Sequence, residues 1–296
     1  MNELVAMLGE HPMALIAAGA VFLFGACIGS FLNVCIYRIP LDTPLANPPR
    51  SFCPSCRATI AWYDNMPILS WFLLRGRCRH CQATIRLRYM TVEALTGILF
   101  VLVWLKYVPL EGGMFLGMSP MDTMLLVPVY WLVVGGLILG TFVDFEHMII
   151  PDRVTLGGIA AGLLLSLAVP ALHGTDRRLV ALGTAALGAA AGWGLMWGIA
   201  LLGRAIFRKE AMGFGDVKLM GAIGAFFGWR SVLTSVMLSS LAGSLAGLTL
   251  IAIGRGKLKG RIPYGPYLAL AALIWLYWGP RLWDAYINLF VLPERF

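Results

Sequence analysis

Two aspartates and four cysteines in this chain have the residue types and spacing for chemistry. Asp144, in "TFVDFEHMIIPD", and Asp216, in "MGFGDVK", each stand where a long apolar run meets polar sequence. Two carboxylates brought into one site cannot both ionise cheaply, so they hold one proton between them and titrate as a pair. The ionised member can then take a proton from water while the protonated member polarises a scissile carbonyl, as in aspartic proteolysis. Gly213 and Gly215 would let the backbone approach a substrate chain closely and adopt dihedrals closed to other residues.

Simpler roles compete for most of the acids. Asp216 suits the N-cap of the helix that follows, and Asp152, just past Pro151, suits an N-cap even better. Glu93 in "RYMTVEALTG" could stabilise a helix start through the dipole. His147 suits an interfacial loop. Asp144 resists such a role. It ends an apolar run, where the helix dipole disfavours an anion, and no Lys or Arg lies within a turn of it. An ionisable group at a membrane span is a functional candidate, and Asp216 is its natural partner.

Cys53 and Cys56 in "CPSC" and Cys78 and Cys81 in "CRHC" form two Cys-x-x-Cys pairs with 21 residues between them. Two such knuckles can deliver four thiolates to one tetrahedral zinc, although the gap slightly exceeds the usual window. Two disulfides are the weaker reading in a reducing compartment. His80 could substitute as a ligand, but four cysteines already fill the shell. Such a zinc has no open position and would organise the loop rather than react. Cys27 and Cys35 fall within an apolar run and are expected as small buried hydrophobes.

The elements that must position these groups are membrane spans. Of 296 residues, 59% are hydrophobic and 13% charged, against about 45–50% and about 25% in soluble domains. Apolar runs at roughly 13–36, 91–108, 123–143, 154–172, 179–203, 217–229, 231–254 and 264–279 predict eight spans. The sixth and seventh meet at Gly228-Trp229-Arg230 as a tight helical hairpin. The first is expected to be a retained anchor, because Met1 to Pro12 carries Glu3 and Glu10 and no Lys or Arg.

Arginines crowd the segment from about 37 to 90, and basic residues recur at Arg204, Arg208 and Lys209 and at Arg255, Lys257, Lys259 and Arg261. This asymmetry places those gaps in the cytoplasm, with Asp144, Asp152 and Asp216 on the same side. It also accounts for the net charge of +8 through topology and lipid contact, without nucleic acid. The fold class is thus an all-α polytopic membrane protein of about eight transmembrane helices, with a cytoplasmic zinc-binding loop after the first.

These stretches resemble the type IV prepilin peptidases, aspartic proteases of the Gly-x-Gly-Asp type. "GACIGSFLNVCIYRIP" is similar to the family's first-span signature, and the four-cysteine loop follows in the expected place. "RYMTVEALTG" resembles the next segment, with Met90 where Pro is more usual. "DFEHMIIPD" and "GFGDVKLM" resemble the two aspartate motifs, and "RIPYGPYLA" a late signature.

The resemblance implies catalytic Asp144 and Asp216 and metal ligands Cys53, Cys56, Cys78 and Cys81. It implies an S-adenosylmethionine site in the loop region, with Gly76 and Glu93 as candidates. It divides the chain into an anchor at 1–36, a methyltransferase-associated zinc loop at 37–90 and a peptidase core at 91–296. The implied activity is cytoplasmic cleavage, at the bacterial inner membrane, of the basic leader of type IV prepilins and type II secretion pseudopilins. N-methylation of the new N-terminus follows. Glu146, Asp152 and Asp64 are candidates to attract that leader. A leader peptidase without methyltransferase activity is the near alternative, and an acid-lined membrane transporter or a zinc-anchored scaffold the distant ones. Neither the oligomeric state nor the particular pilin follows from the sequence.

Overall fold

The computed structural model describes residues 12–47, 50–107, 120–208, 212–254 and 263–291. Glu3, Glu10, Lys209, Arg255, Lys257, Lys259 and Arg261 lie outside them. The described chain is helical: α1 (Pro12–Arg38), a short α2 (Leu69–Leu73), α3 (Arg88–Tyr107), α4 (Pro120–His147), α5 (Asp152–Ala168), α6 (Arg178–Phe207), α7 (Phe214–Phe227), α8 (Trp229–Ala252) and α9 (Gly265–Tyr286). The eight longer helices coincide one for one with the eight apolar runs. Five of them, α1, α3, α4, α6 and α8, are long and apolar enough to cross a membrane. At 17 and 14 residues, α5 and α7 are shorter, α7 rising only about 21 Å against a hydrocarbon thickness of about 30 Å.

The chain forms two compact units, Met1–Leu139 and Gly140–Phe296. In the first, α1 packs closely on α3. A Cβ added at Gly25 would stand 2.9 Å from the Gly97 Cα, and one at Gly29 would stand 2.7 Å from the Glu93 Cα. The Trp131 ring lies parallel to Phe100 at 4.9 Å, and its Nε1–H donates to the Phe100 carbonyl at 3.0 Å.

In the second unit, α7 is the buried centre, with Val217, Leu219, Met220, Ile223 and Phe226 all inside. Its small residues let neighbouring helices reach its backbone, since helix association in lipid relies on close packing rather than on hydrophobic transfer. A Cβ added at Gly188 of α6 would land on the Gly224 carbonyl oxygen of α7. The chain passes from α7 to α8 through Gly228 alone, whose φ of +76° permits the hairpin the sequence predicts.

Polarity on α8 is inverted relative to a soluble helix. Ser231, Ser235 and Ser239, spaced four apart, are buried, while Leu241, Leu245 and Leu248 are exposed. Lipid accounts for that pattern. Cys35 is buried as expected, but Cys27 lies on the exposed face of α1.

The Gly188–Gly224 contact gives a stability prediction. Gly188→Ala should separate α6 from α7 and cost about 1–3 kcal/mol, the usual penalty of overpacking. Gly183→Ala, where an added Cβ meets nothing within 4 Å, is the control. Thermal unfolding in detergent should show a lowered midpoint for the first variant alone; equal midpoints would refute the close-packing account.

Candidate active site and metal centre

Asp144 sits three residues before the end of α4. The helix closes when Met148 takes a left-handed conformation and its amide donates to the Asp144 carbonyl at 2.9 Å. The carboxylate at this unfavourable helix end finds its donor on another helix. Its Oδ2 accepts the Gly265 N–H at 3.0 Å, and Gly265 is the first residue of α9. That amide has no partner within its own helix, and the dipole there favours an anion. Asp144 therefore rests at the C-terminus of its own helix but at the N-terminus of its neighbour. Only 5% of its surface is exposed.

Asp216 lies in the first turn of α7 and is 8% exposed. It is not the N-cap; Gly213 is, and no side chain caps this end. The carboxyl turns back to the Gly213 backbone, with an ideal Gly213 Cβ 3.3 Å from Oδ2. Asp144 and Asp216 are close enough that the charge of the first acts on the second. The glycines of this motif differ from the sequence-based expectation. Gly213 has an ordinary extended conformation, φ −71° and ψ 141°, and Gly215 is not among the positive-φ residues. Gly215 instead leaves room for Ile150, whose Cβ would stand 3.2 Å from an added methyl.

Ile150 is the apolar plug of the site. It touches the positions of Gly140 on α4, Gly215 on α7 and Gly265 on α9, and so fills the space where the three helices converge. Sequence reasoning passed over both Ile150 and Gly265, although each lies inside a quoted motif.

Asp152 is likewise not an N-cap, since Pro151 occupies that position and no side chain caps the helix. It is the first residue of α5, and its exposed carboxylate pairs with Lys218 of α7 at 2.6 Å. That bond ties α5 to α7 two residues from Asp216. His147 belongs to the last turn of α4 rather than to a loop.

The four cysteines lie in the first unit, and their sulfurs all fall within 4.8 Å of one another. The Cys53–Cys81 and Cys56–Cys78 separations are 3.8 and 4.0 Å. A tetrahedral shell with zinc–sulfur bonds of about 2.3 Å has sulfur–sulfur edges of about 3.8 Å, so the donor set fits that ion. The two knuckles repeat one another. Cys53 and Cys78 receive the amides of Arg57 and Gln82 and donate their own to Ala58 and Ala83, while Arg57 and Gln82 share a positive φ. One bridge closes each hairpin, Phe52 with Thr59 and Arg77 with Thr84.

Electrostatics also call for a cation here. Burial opposes the Cys53 thiolate, but the backbone amides of Cys56 and Ser55 and the neighbouring thiols outweigh it and bring that thiol down to about 7. The Ala83 amide favours the Cys81 thiolate, yet burial and three nearby sulfurs prevail and push it up to about 11. Once one thiolate forms, the next is resisted. A divalent ion removes that resistance.

Asp64 clamps the second knuckle through two bonds to Arg79, 2.7 and 2.6 Å, and Arg79 holds its carboxyl below the usual range. Asp64 and Asp152, two of the three acids expected to attract a basic peptide, are thus already engaged in ion pairs.

The structure gives Glu93 and Gly76 structural work. Glu93 is buried in α3, and its Oε2 accepts the Ile68 N–H at 2.7 Å. Ile68 has φ +63° and ψ −53° in a γ-turn closed by Leu69 N–H to the Pro67 carbonyl. A β-branched residue is strained there, and the carboxylate holds it. Gly76, at φ +65°, lies against the Trp71 ring, 2.9 Å from where its Cβ would be.

Two family models match different parts of the chain. Residues 23–107 match the Bacterial Peptidase A24 N-terminal domain, and residues 131–248 match the Type IV leader peptidase family. The chain belongs to the type IV leader peptidase family. A relative from Aeromonas hydrophila, named prepilin leader peptidase/N-methyltransferase, is 37% identical over 95% of this chain and 97% of its own length. Relatives of the same name from Stutzerimonas stutzeri and Neisseria gonorrhoeae are 30% and 33% identical, over 96% and 88% of this chain and 98% and 90% of theirs. No solved structure matches the chain. The first match holds the four cysteines and Glu93, and the second holds both aspartates.

Metal binding by the cysteines should follow the linkage between thiolate and ion. Metal analysis of the purified protein should find about one zinc per chain, lost in Cys53→Ser and Cys78→Ser. Its affinity should fall as pH falls, since binding releases protons, with steeper loss below about 7 where the free Cys53 thiol is protonated. Competition with a chromophoric chelator measures this; a pH-independent affinity would exclude thiolate ligation.

Proposed function

We propose that this chain is a bifunctional enzyme of the bacterial inner membrane. It cuts the basic leader from type IV prepilins and type II secretion pseudopilins with Asp144 and Asp216. It then methylates the new N-terminus with S-adenosylmethionine. The observation that carries the peptidase reading is the pair of buried carboxylates at two helix N-termini, close enough to interact. The names of the relatives and the four-cysteine module support the second activity. Arginine-rich sequence between residues 50 and 88 supports a cytoplasmic position for the loop, and with it for the dyad.

The substrate is itself a membrane helix with a basic leader, so a dyad at the end of α4 meets the junction near the bilayer surface. In the cut, the ionised carboxylate accepts a proton from water as the water oxygen attacks the scissile carbonyl carbon. The protonated carboxyl donates to the carbonyl oxygen. The carboxyl that took the water proton passes it to the amide nitrogen, and a hydroxyl of the tetrahedral intermediate returns its proton to the other carboxylate. The C–N bond breaks, and a carboxylic acid and a free amine leave. A glycine at the cut lowers the cost of unwinding the substrate helix.

Zinc, when bound, joins the two knuckles and fixes the loop between α1 and α3. S-adenosylmethionine, when bound, supplies an electrophilic methyl group on a cationic sulfur. The wall shared by α1 and α3 suits a cation, because Glu93 lies there and the buried Asn33 Oδ1 has no hydrogen-bond partner among the described residues. Glu93 orients the attacking amine or accepts its proton, and Gly76 shapes the turn that carries Arg75 and Arg77.

Two sets of variants test the activities separately by mass spectrometry of the product N-terminus. Asp144→Asn and Asp216→Asn should each abolish cleavage of a prepilin with an intact leader; full cleavage by either removes that residue from the dyad. Glu93→Gln keeps an acceptor for Ile68, so cleavage should persist while methyl transfer falls about 100-fold, in the range of a lost acid–base group. Equal methylation by this variant would leave Glu93 a purely structural role.

A further inference from the structure

The "RIPYGPYLA" stretch has no role in the chemistry derived so far, yet it delivers the backbone that holds Asp144. Gly265 opens α9, and its amide donates to Asp144 Oδ2 at 3.0 Å. An added Cβ there would stand 2.8 Å from the same oxygen and 3.0 Å from Ile150 Cδ1. The flanking residues fix this approach. Tyr264, the N-cap, bonds Ser239 of α8 through its hydroxyl at 2.7 Å. Pro266 carries no amide hydrogen to compete for the carboxylate and is pre-set for a helix start. Oδ2 is thereby committed to the backbone, and Oδ1 is the oxygen that Gly265 leaves unengaged.

We propose that Gly265 is a positioning residue for the peptidase reaction: its amide anchors one oxygen of Asp144, and its missing side chain is the space that oxygen occupies. This rests on the dyad reading above. The sequence requirement at this position is then steric as well as electrostatic, and alanine, the mildest replacement, violates it. The three atoms nearest the new methyl, Oδ2 and Cγ of Asp144 and Cδ1 of Ile150, belong to side chains rather than backbone. The helices therefore keep their places while the carboxylate moves. A displacement of about 1 Å at a reacting group is worth about 100-fold in rate.

The test uses full-length Gly265→Ala in detergent, with a prepilin bearing its leader as substrate and Asp144→Asn alongside. Gly157→Ala serves as the control, because its Cβ meets nothing nearer than 4.0 Å. The expected result is a fall in kcat of about 100-fold, with KM within twofold of wild type, an unchanged unfolding midpoint and unchanged methylation of an already mature pilin. A kcat within twofold of wild type would overturn the proposal. So would loss of the midpoint and of methylation together, because the methyl would then disturb the fold rather than the carboxylate. Full cleavage by Asp144→Asn would instead sink the dyad reading itself, a separate outcome.

Discussion

A carboxylate buried among apolar helices must be met by donors from the protein, because water is scarce there and an unpaired charge is costly. This chain meets that demand with helix starts. Asp216 uses the first turn of its own helix, and Asp144 borrows the first amide of α9. The rest of the second unit follows from bringing those two helix starts together. Small residues along α6 and α7 allow backbone contact, the single-residue Gly228 turn folds α8 back, and Ile150 excludes solvent where the helices converge. The same arrangement makes the pair useful, since two carboxylates that share one proton contain both an acid and a base.

The first unit solves a different problem. A loop of some fifty residues between two membrane helices is too small to bury a stable core unaided. The two knuckles answer with four sulfurs at tetrahedral spacing, and the Asp64–Arg79 pair fastens the second knuckle to the segment before α2. Glu93 extends this framework to α3 by holding the strained Ile68 turn. Gly29, packed against Glu93, brings α1 into the same contact. A defect in the metal centre is therefore mechanically connected to the helices that flank the proposed methyl-transfer site.

Much of this was legible in the sequence because it depends on residue type and short spacing. The four cysteines declare a tetrahedral site, since each pair lies within one tight turn. Apolar runs declare the helices, since lipid requires each span to satisfy its own backbone. Asp144 declared itself by standing at the wrong end of a helix with no local cation. The Gly228 hairpin was equally plain, as one glycine separates two apolar runs.

Tertiary structure decided what depends on partners distant in sequence. Asp152 reads as a cap until Lys218, far along the chain, takes its carboxylate. Gly213 and Gly215 read as places of unusual backbone conformation until Ile150 is seen in the space beside Gly215. Glu93 reads as a dipole charge until the Ile68 amide is found on it. Above all, the donor for Asp144 lies 121 residues away. Sequence alone determined which groups could do chemistry and that a membrane must hold them. Which atom stabilises which charge was decided by helix packing, because a hydrogen bond is set by distance in space and not along the chain.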